Sequence, residues 1–317
     1  MSTPALSPQP EADGSDVDVS VVLPVYNEHG HLAQEVKRIR AALDRSSYSF
    51  EIIVVDDGST DGSADVLDDL RRSENIRLIR FGRNRGSGSA RKAGTRAARG
   101  RVVVWTDCDL TYPNEEIPRL VEVLDQGYDQ VVGARSSEQG THRAFRVPAK
   151  WFIRRLACYL TATKIPDLNS GLRAFRRDVA MQYLHLLPAG FSCVTTMTMS
   201  FLCNGYSVEY VPIDYFPRAG NSKFHWWDDT RRYLLQVVRM ILLYNPLKVF
   251  MPTGLSLLAL AAGKTVYDLV TKHGRVATNT LVVLFAAGVV IMVGLLSDLI
   301  VQVSRPRDEV DPAMRRD

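Results

Sequence analysis

The chain has 317 residues, 46% of them hydrophobic and 23% charged, and a net charge of +4. That length admits one large domain or two small ones, and the charge is too small and too dispersed for a nucleic-acid-binding surface. The four cysteines (Cys108, Cys158, Cys193 and Cys203) form neither a Cys-x-x-Cys pair nor a zinc spacing, so they read as reduced, mostly buried thiols.

Residues 1–17 are rich in Pro, Ser and acids, lack the apolar core of a signal peptide, and read as a disordered tail. Val19–Leu23 is a first strand, ended by Pro24 and followed by Tyr26-Asn27-Glu28. A helical pattern covers about His31 to Leu43. Glu51–Val55 is a second buried strand, and Asp56–Gly62 is its loop. The helix that follows, Ser63–Arg72, starts from polar residues able to cap its amides. Ile76–Phe81 is a third strand. Asn84–Gly88 is a Gly-rich turn before an Ala-rich helix, Ser89–Arg99.

Val102–Trp105 is four apolar residues in a row, which suits a strand buried on both faces of a parallel sheet. It runs into Thr106-Asp107-Cys108-Asp109. Two carboxylates at the carboxyl end of such a strand sit where open α/β sheets bind ligands. Their oxygens suit Mg²⁺ or Mn²⁺, which in turn clamp a diphosphate. Further on, Ile117–Gln126 reads as a helix, Gln130–Gly133 as a strand, Lys150–Thr163 as an amphipathic helix and Val208–Ile213 as a strand. Strands alternating with helices predict a mostly parallel, doubly wound sheet, with the first, second and fourth strand ends at one crevice.

The C-terminal part turns apolar. Val276–Ser297 is 22 residues without a charge, enough to cross a bilayer. Val249–Gly263 is 15, and reaches a spanning length if Lys264 snorkels to the interface. The other reading of the pair is a buried hairpin of a soluble domain. Arg231, Arg232, Arg239 and Lys248 precede the pair, and Arg305, Arg307, Arg315 and Arg316 follow it, whereas the linker holds only Lys272, His273 and Arg275. The positive-inside rule then predicts a multi-pass cell-membrane protein with its large N-terminal domain and its C-terminus in the cytoplasm. Trp226-Trp227 with the arginines after them predicts an interfacial helix. The resulting division is a tail at 1–17, a large α/β domain at 18–225, an interfacial helix at 226–246, a hairpin at 247–303 and a cytoplasmic tail at 304–317. Asp268 and Asp298, within or beside the spans, hint at helix contacts and leave a homo-oligomer open.

Leu23-Pro24-Val25-Tyr26-Asn27-Glu28, Val54 to Asp61 and the Asp107/Asp109 pair resemble, in order and spacing, the family 2 glycosyltransferases. Gly133-Ala134-Arg135, Asp167 to Arg173 and Arg218 to Lys223 resemble the polyprenyl-phosphate branch, whose best-known member is dolichol-phosphate mannosyltransferase. The resemblance covers roughly residues 18–245, and the trailing hairpin resembles that of bacterial relatives. It implies a GT-A fold, a Rossmann-like mostly parallel sheet, followed by two transmembrane helices. It also implies inverting, metal-dependent transfer of a hexose from a GDP- or UDP-sugar to a polyprenyl monophosphate at the membrane.

Residue by residue, the resemblance implies that Asp107 and Asp109 hold Mg²⁺ or Mn²⁺, with Asp109 the firmer ligand. Pro24, Tyr26, Glu28, Val55, Asp57, Asp107, Cys108 and Lys223 are implied as donor-binding, and Arg135 and Arg146 as ligands of the acceptor phosphate. Asp109, Arg135 and Arg218 form the catalytic set. Cys108 stands where the family more often has alanine, and Ser87 where many relatives have lysine. Gly86 and Gly88 are expected to let their turn pass close under the donor. No His lies within the motifs, which suits a phosphate nucleophile, already ionised near neutral pH and in need of no general base. A membrane transferase acting on a non-phosphate acceptor, with Glu138 the nearest candidate base, and an inactive subunit of the same fold are the alternatives.

Overall fold

Apolar residues one step apart along each strand point to opposite faces, and this alternation lays out two cores. The computed structural model describes residues 17–135, 154–190, 192–216, 235, 239, 241–271 and 275–304. Seven strands form one sheet: β1 (Val19–Val25), β2 (Phe50–Asp56), β3 (Arg77–Arg80), β4 (Val102–Trp105), β5 (Gln130–Arg135), β6 (Arg173–Arg176) and β7 (Val208–Ile213), in the order β3-β2-β1-β4-β6-β5-β7. β1 to β4 are mutually parallel, as are β5 and β7, and β6 runs antiparallel between β4 and β5.

Val21, Leu23, Ile52, Val54, Val102 and Val104 face one core, together with α1 (Leu32–Leu43), α2 (Ser63–Ser73) and α4 (Ile117–Leu124). Val22, Ile53, Val55, Val103 and Trp105 face the other, against α3 (Ser87–Ala97), α6 (Arg177–Tyr183) and α7 (Cys193–Cys203). The doubly wound layout expected from the strand and helix alternation is therefore present. Three elements were not expected: β6, α6 and α7. β6 is the short run Arg173-Ala174-Phe175-Arg176, which has no apolar stretch to announce it. α7 is buried on every side and lacks the polar stripe that marks an amphipathic helix.

Two long helices end the described chain, α8 (Leu247–Thr271) and α9 (Thr278–Ser304), and both are apolar and long enough to be membrane spans. They are not core helices of a soluble domain. Leu255, Leu260, Phe285 and Met292 are each more than half exposed. Asp268, fully buried, accepts from the Ala277 amide at 3.0 Å and from the Thr280 hydroxyl, so it caps the start of α9 within the same hairpin. Gly254 and Gly294 let the two helices touch: a Cβ at Gly294 would lie 2.6 Å from Phe250 Cβ. Gly294→Leu is expected to destabilise the hairpin by about 2 kcal/mol through overpacking. Thermal unfolding in detergent would register this as a lowered transition; an unchanged one would show that the helices part freely.

A third cluster joins this hairpin to the sheet domain. Ala157 and Leu160 of α5 (residues 154–161) pack with Ile165, Leu168, Met199 and Tyr244, and Val249 of α8 packs against them. Pro252 inside α8 has no amide hydrogen for the Lys248 carbonyl one turn back. That carbonyl accepts instead from the Tyr159 hydroxyl at 2.8 Å, while Lys248 Nζ donates to the Leu160 carbonyl at 2.8 Å. Most of the expected interfacial helix at 226–246 lies outside the described residues; residues 241–244 are helical.

Candidate active site

β2, β1 and β4 are adjacent and parallel, so their carboxyl ends open at one edge of the sheet. The first two loops there are stitched together. Asn27, at φ +58°, accepts from the Thr60 amide at 2.8 Å, the Asn27 amide donates to Ser59 Oγ at 3.1 Å, and the His29 amide donates to Asp61 at 3.1 Å. Tyr26 stands exposed on this rim.

The acidic pair follows β4. Asp107 accepts from the Arg91 guanidinium, which α3 holds fully buried against the Trp105 ring. Asp109 is buried and accepts from both the amide and the hydroxyl of Thr111. Leu110 between them and the next turn adopts φ +60°, an uncommon conformation for a branched residue that surrounding structure must hold in place. Below the loop, Thr106 donates to Asn114 Oδ1 at 2.6 Å, and Asn114 donates in turn to the fully buried Glu35, which pairs with Arg38 at 3.1 Å.

Burial pushes the Glu35 carboxyl up to about 7, against the opposing pull of Arg38. Native protein therefore binds a proton that the unfolded chain has released, and stability present below pH 4.5 declines as pH rises to about 7. Glu35→Gln is expected to flatten that slope, measured as thermal stability across the same pH window. An unchanged slope would assign it to another group.

Antiparallel β6 explains how the second motif arrives here. Trp105 pairs with Arg173, so the chain entering β6 lies beside the chain leaving β4. Gly171 sits against the acidic loop: a Cβ there would lie 2.5 Å from Asp107 Oδ2, and its amide donates to the Tyr112 hydroxyl at 2.7 Å. Arg135, at the end of β5, forks onto Asp167 through Nε at 2.6 Å and Nη2 at 2.9 Å, and its guanidinium lies 5.1 Å from the Tyr215 ring. Burial alone would raise the Asp167 carboxyl, but the Arg135 guanidinium outweighs it and holds the group below the usual carboxylate range.

Sequence reasoning passed over Arg91, Tyr112 and Asp167 as site groups. Arg91 is one of three cations among the small residues of α3, beside Lys92 and Arg96, so nothing in the sequence singled it out.

Some expected site residues stand differently from their implied roles. Cys108 is packed in the first core, and burial raises its thiol well above the usual range, so the side chain faces away from the acidic pair's crevice. Val55 is likewise buried, in the second core, leaving its backbone as the part able to meet a ligand. Asp57 holds the Arg85 and Gly86 amides at 2.7 and 2.8 Å, and Asp56 holds the Ser59 amide at 2.9 Å, so both carboxylates shape loops. At Gly86 and Gly88 the close approach is to another loop: a Cβ at Gly88 would lie 2.3 Å from the Pro188 carbonyl oxygen. Pro24 is partly buried in β1 and Glu28 partly buried at the base of the first loop. Arg146, Arg218, Lys223, Glu138, Trp226 and Trp227 lie outside the described residues.

No group of three His, Cys, Asp or Glu side chains gathers among the described residues. The pair Asp107 and Asp109 nonetheless fits a hard cation, because Mg²⁺ and Mn²⁺ bind through one or two carboxylates and complete their shell from substrate phosphates and water. Gly171 keeps side-chain atoms out of the space next to Asp107 Oδ2.

A mixed sheet with parallel strand ends converging on an acidic loop is the layout expected of a GT-A fold. The fold is similar to that of glucosyl-3-phosphoglycerate synthase from Mycobacterium tuberculosis, crystallised with Mn²⁺, UDP and glucosyl-3-phosphoglycerate, at a TM-score of 0.54 and 22% identity over 71% of this chain and 79% of that one. The chain belongs to glycosyl transferase family 2, whose model matches residues 20–184, and residues 245–303 match the GtrB C-terminal hairpin. Among curated proteins it is similar to undecaprenyl-phosphate 4-deoxy-4-formamido-L-arabinose transferase from Aeromonas hydrophila, with 36% identity over 65% of this chain and 62% of the relative. The protein of the same name from Edwardsiella ictaluri is 41% identical over 53% of this chain and 51% of its own length. The chain thus spans between half and two thirds of the length of these relatives. The apolar hairpin indicates a membrane-associated protein.

Proposed function

We propose that this protein transfers a sugar, with inversion, from a nucleotide-diphosphate sugar to a polyprenyl monophosphate. The observation that carries this reading is the contact at Gly171 between the acidic loop and the arm whose Asp167 holds Arg135 at the end of β5. It sets carboxylates suited to a metal–diphosphate beside a guanidinium suited to a phosphate, on a domain whose hairpin offers an apolar surface. The names of the curated relatives support a polyprenyl phosphate acceptor.

In this reading Asp107 and Asp109 hold Mg²⁺ or Mn²⁺ against the donor diphosphate. Such a cation would neutralise charge on the departing nucleoside diphosphate. Arg135, fixed by Asp167, orients the acceptor phosphate, one of whose oxygens forms the new bond to the anomeric carbon as the bond to the diphosphate breaks. No proton needs to leave that oxygen, so positioning and electrostatics carry the catalysis. The rims of the first two loops, with Tyr26 exposed, take the nucleoside. Arg146, Arg218 and Lys223 belong to the same basic set. The catalytic domain and both chain ends lie on the cytoplasmic side of the membrane, with residues 272–277 on the other.

The deciding experiment incubates purified protein, polyprenyl phosphate and Mn²⁺ or Mg²⁺ with a panel of UDP- and GDP-sugars and reads out glycolipid. One donor is expected to give metal-dependent product. Transfer only to acceptors lacking phosphate would overturn the reading.

A further inference from the structure

Helix α7 carries four hydroxyl side chains in six residues, Thr195, Thr196, Thr198 and Ser200, all buried. Buried hydroxyls are costly unless bonded, so their partners show what the helix is built to hold. Thr198 holds the buried Arg173 guanidinium at 2.9 Å. Ser200 Oγ lies 2.9 Å from the Tyr244 hydroxyl, and Tyr244, three residues before α8, donates to the Thr196 carbonyl at 2.9 Å. Thr195 donates to Asn169 Oδ1 at 2.7 Å. The Asn169 amide donates to Asp167 Oδ1 at 2.9 Å, the same oxygen that accepts from Arg135 Nη2.

These bonds make one continuous path. It runs from Tyr244 at the approach to the hairpin, through one turn of α7, to Asn169, Asp167 and Arg135. We infer that Thr195 and Asn169 are positioning residues for the Arg135 guanidinium, and that Tyr244, by seating α7, registers the acceptor-phosphate end of the site against the membrane hairpin. Neither Thr195 nor Asn169 touches substrate in this arrangement. They act by fixing the carboxylate that fixes Arg135. The donor end of the site, at Asp107 and Asp109, takes its side-chain bonds from Arg91 and Thr111 and meets this arm through Gly171, so the path bears first on the acceptor. The inference rests on Arg135 meeting the acceptor phosphate.

The test is steady-state kinetics of the full chain in detergent micelles, varying polyprenyl phosphate and nucleotide sugar independently. Thr195→Val keeps the shape of the side chain and removes its hydroxyl. It is expected to raise the acceptor KM about fivefold, the scale of one lost hydrogen bond, with the donor KM unchanged. Thr195→Ser should restore the wild-type value. Tyr244→Phe should shift the acceptor KM in the same direction, and the double variant should change it by less than the product of the two single effects. If Thr195→Val fails to fold, Tyr244→Phe, which keeps its ring, carries the same readout. Equal shifts in both KM values, or a fall in thermal stability with both KM values unchanged, would overturn the inference. A wild-type protein inert toward polyprenyl phosphate with every donor would remove the underlying reading and this inference with it.

Discussion

Asp109→Asn is expected to lower sugar transfer by at least about a hundredfold while leaving the fold intact. Asparagine keeps the oxygen that accepts from the Thr111 amide and hydroxyl, so the turn after Asp109 retains its bonds. What is lost is one of the two negative charges that the proposed reading assigns to a cation and diphosphate. The measurement pairs glycolipid formation with calorimetric binding of Mn²⁺ in the presence of nucleotide, and circular dichroism reports the fold. Turnover at the wild-type level in this variant would take Asp109 out of the metal site.

Arg91→Met should have the largest effect on stability. The guanidinium side chain is 2% exposed and its partner Asp107 is 30% exposed. Removing the cation leaves a largely buried carboxylate without its partner, a change that costs about 3 kcal/mol in comparable buried pairs. Transfer should fall as well, because Asp107 loses the bond that orients it. The two effects separate in the double variant Arg91→Met/Asp107→Asn, where no charge is left unpaired. Part of the lost stability should return and activity should not. A double variant no more stable than Arg91→Met alone would show that the pair contributes through packing only.

The sequence made the parallel half of the fold readable because each of β1, β2 and β4 is a run of apolar residues ending in a polar loop. The acidic pair was legible for the same reason: Val102–Trp105 announces a strand, and its end is where ligands bind. β6 was hidden because an arginine stands at each end of its four residues, and Arg173 is buried by hydrogen bonds to α7 rather than by hydrophobicity. α7 was hidden because threonines inside a core look like threonines in a loop until their partners are known. The inward direction of Cys108 follows from the strand's alternation carried one turn further, which a motif match does not encode. Arg91 could not be assigned from its position alone, since its partner lies 16 residues away, beyond the end of α3 and the whole of β4.

Pro252 gives the hairpin a property that apolarity does not. A membrane helix that closes every one of its own hydrogen bonds is self-sufficient and has no polar handle for a neighbouring domain. By leaving the Lys248 carbonyl open, the proline creates a socket that Tyr159 fills from the catalytic side. Alanine at that position should make α8 a better helix and a poorer tether: the anchor would still enter the membrane, but the enzyme above it would be freer to tilt. The tilt of the sheet domain on its hairpin is thus written in part by a residue that weakens the helix carrying it.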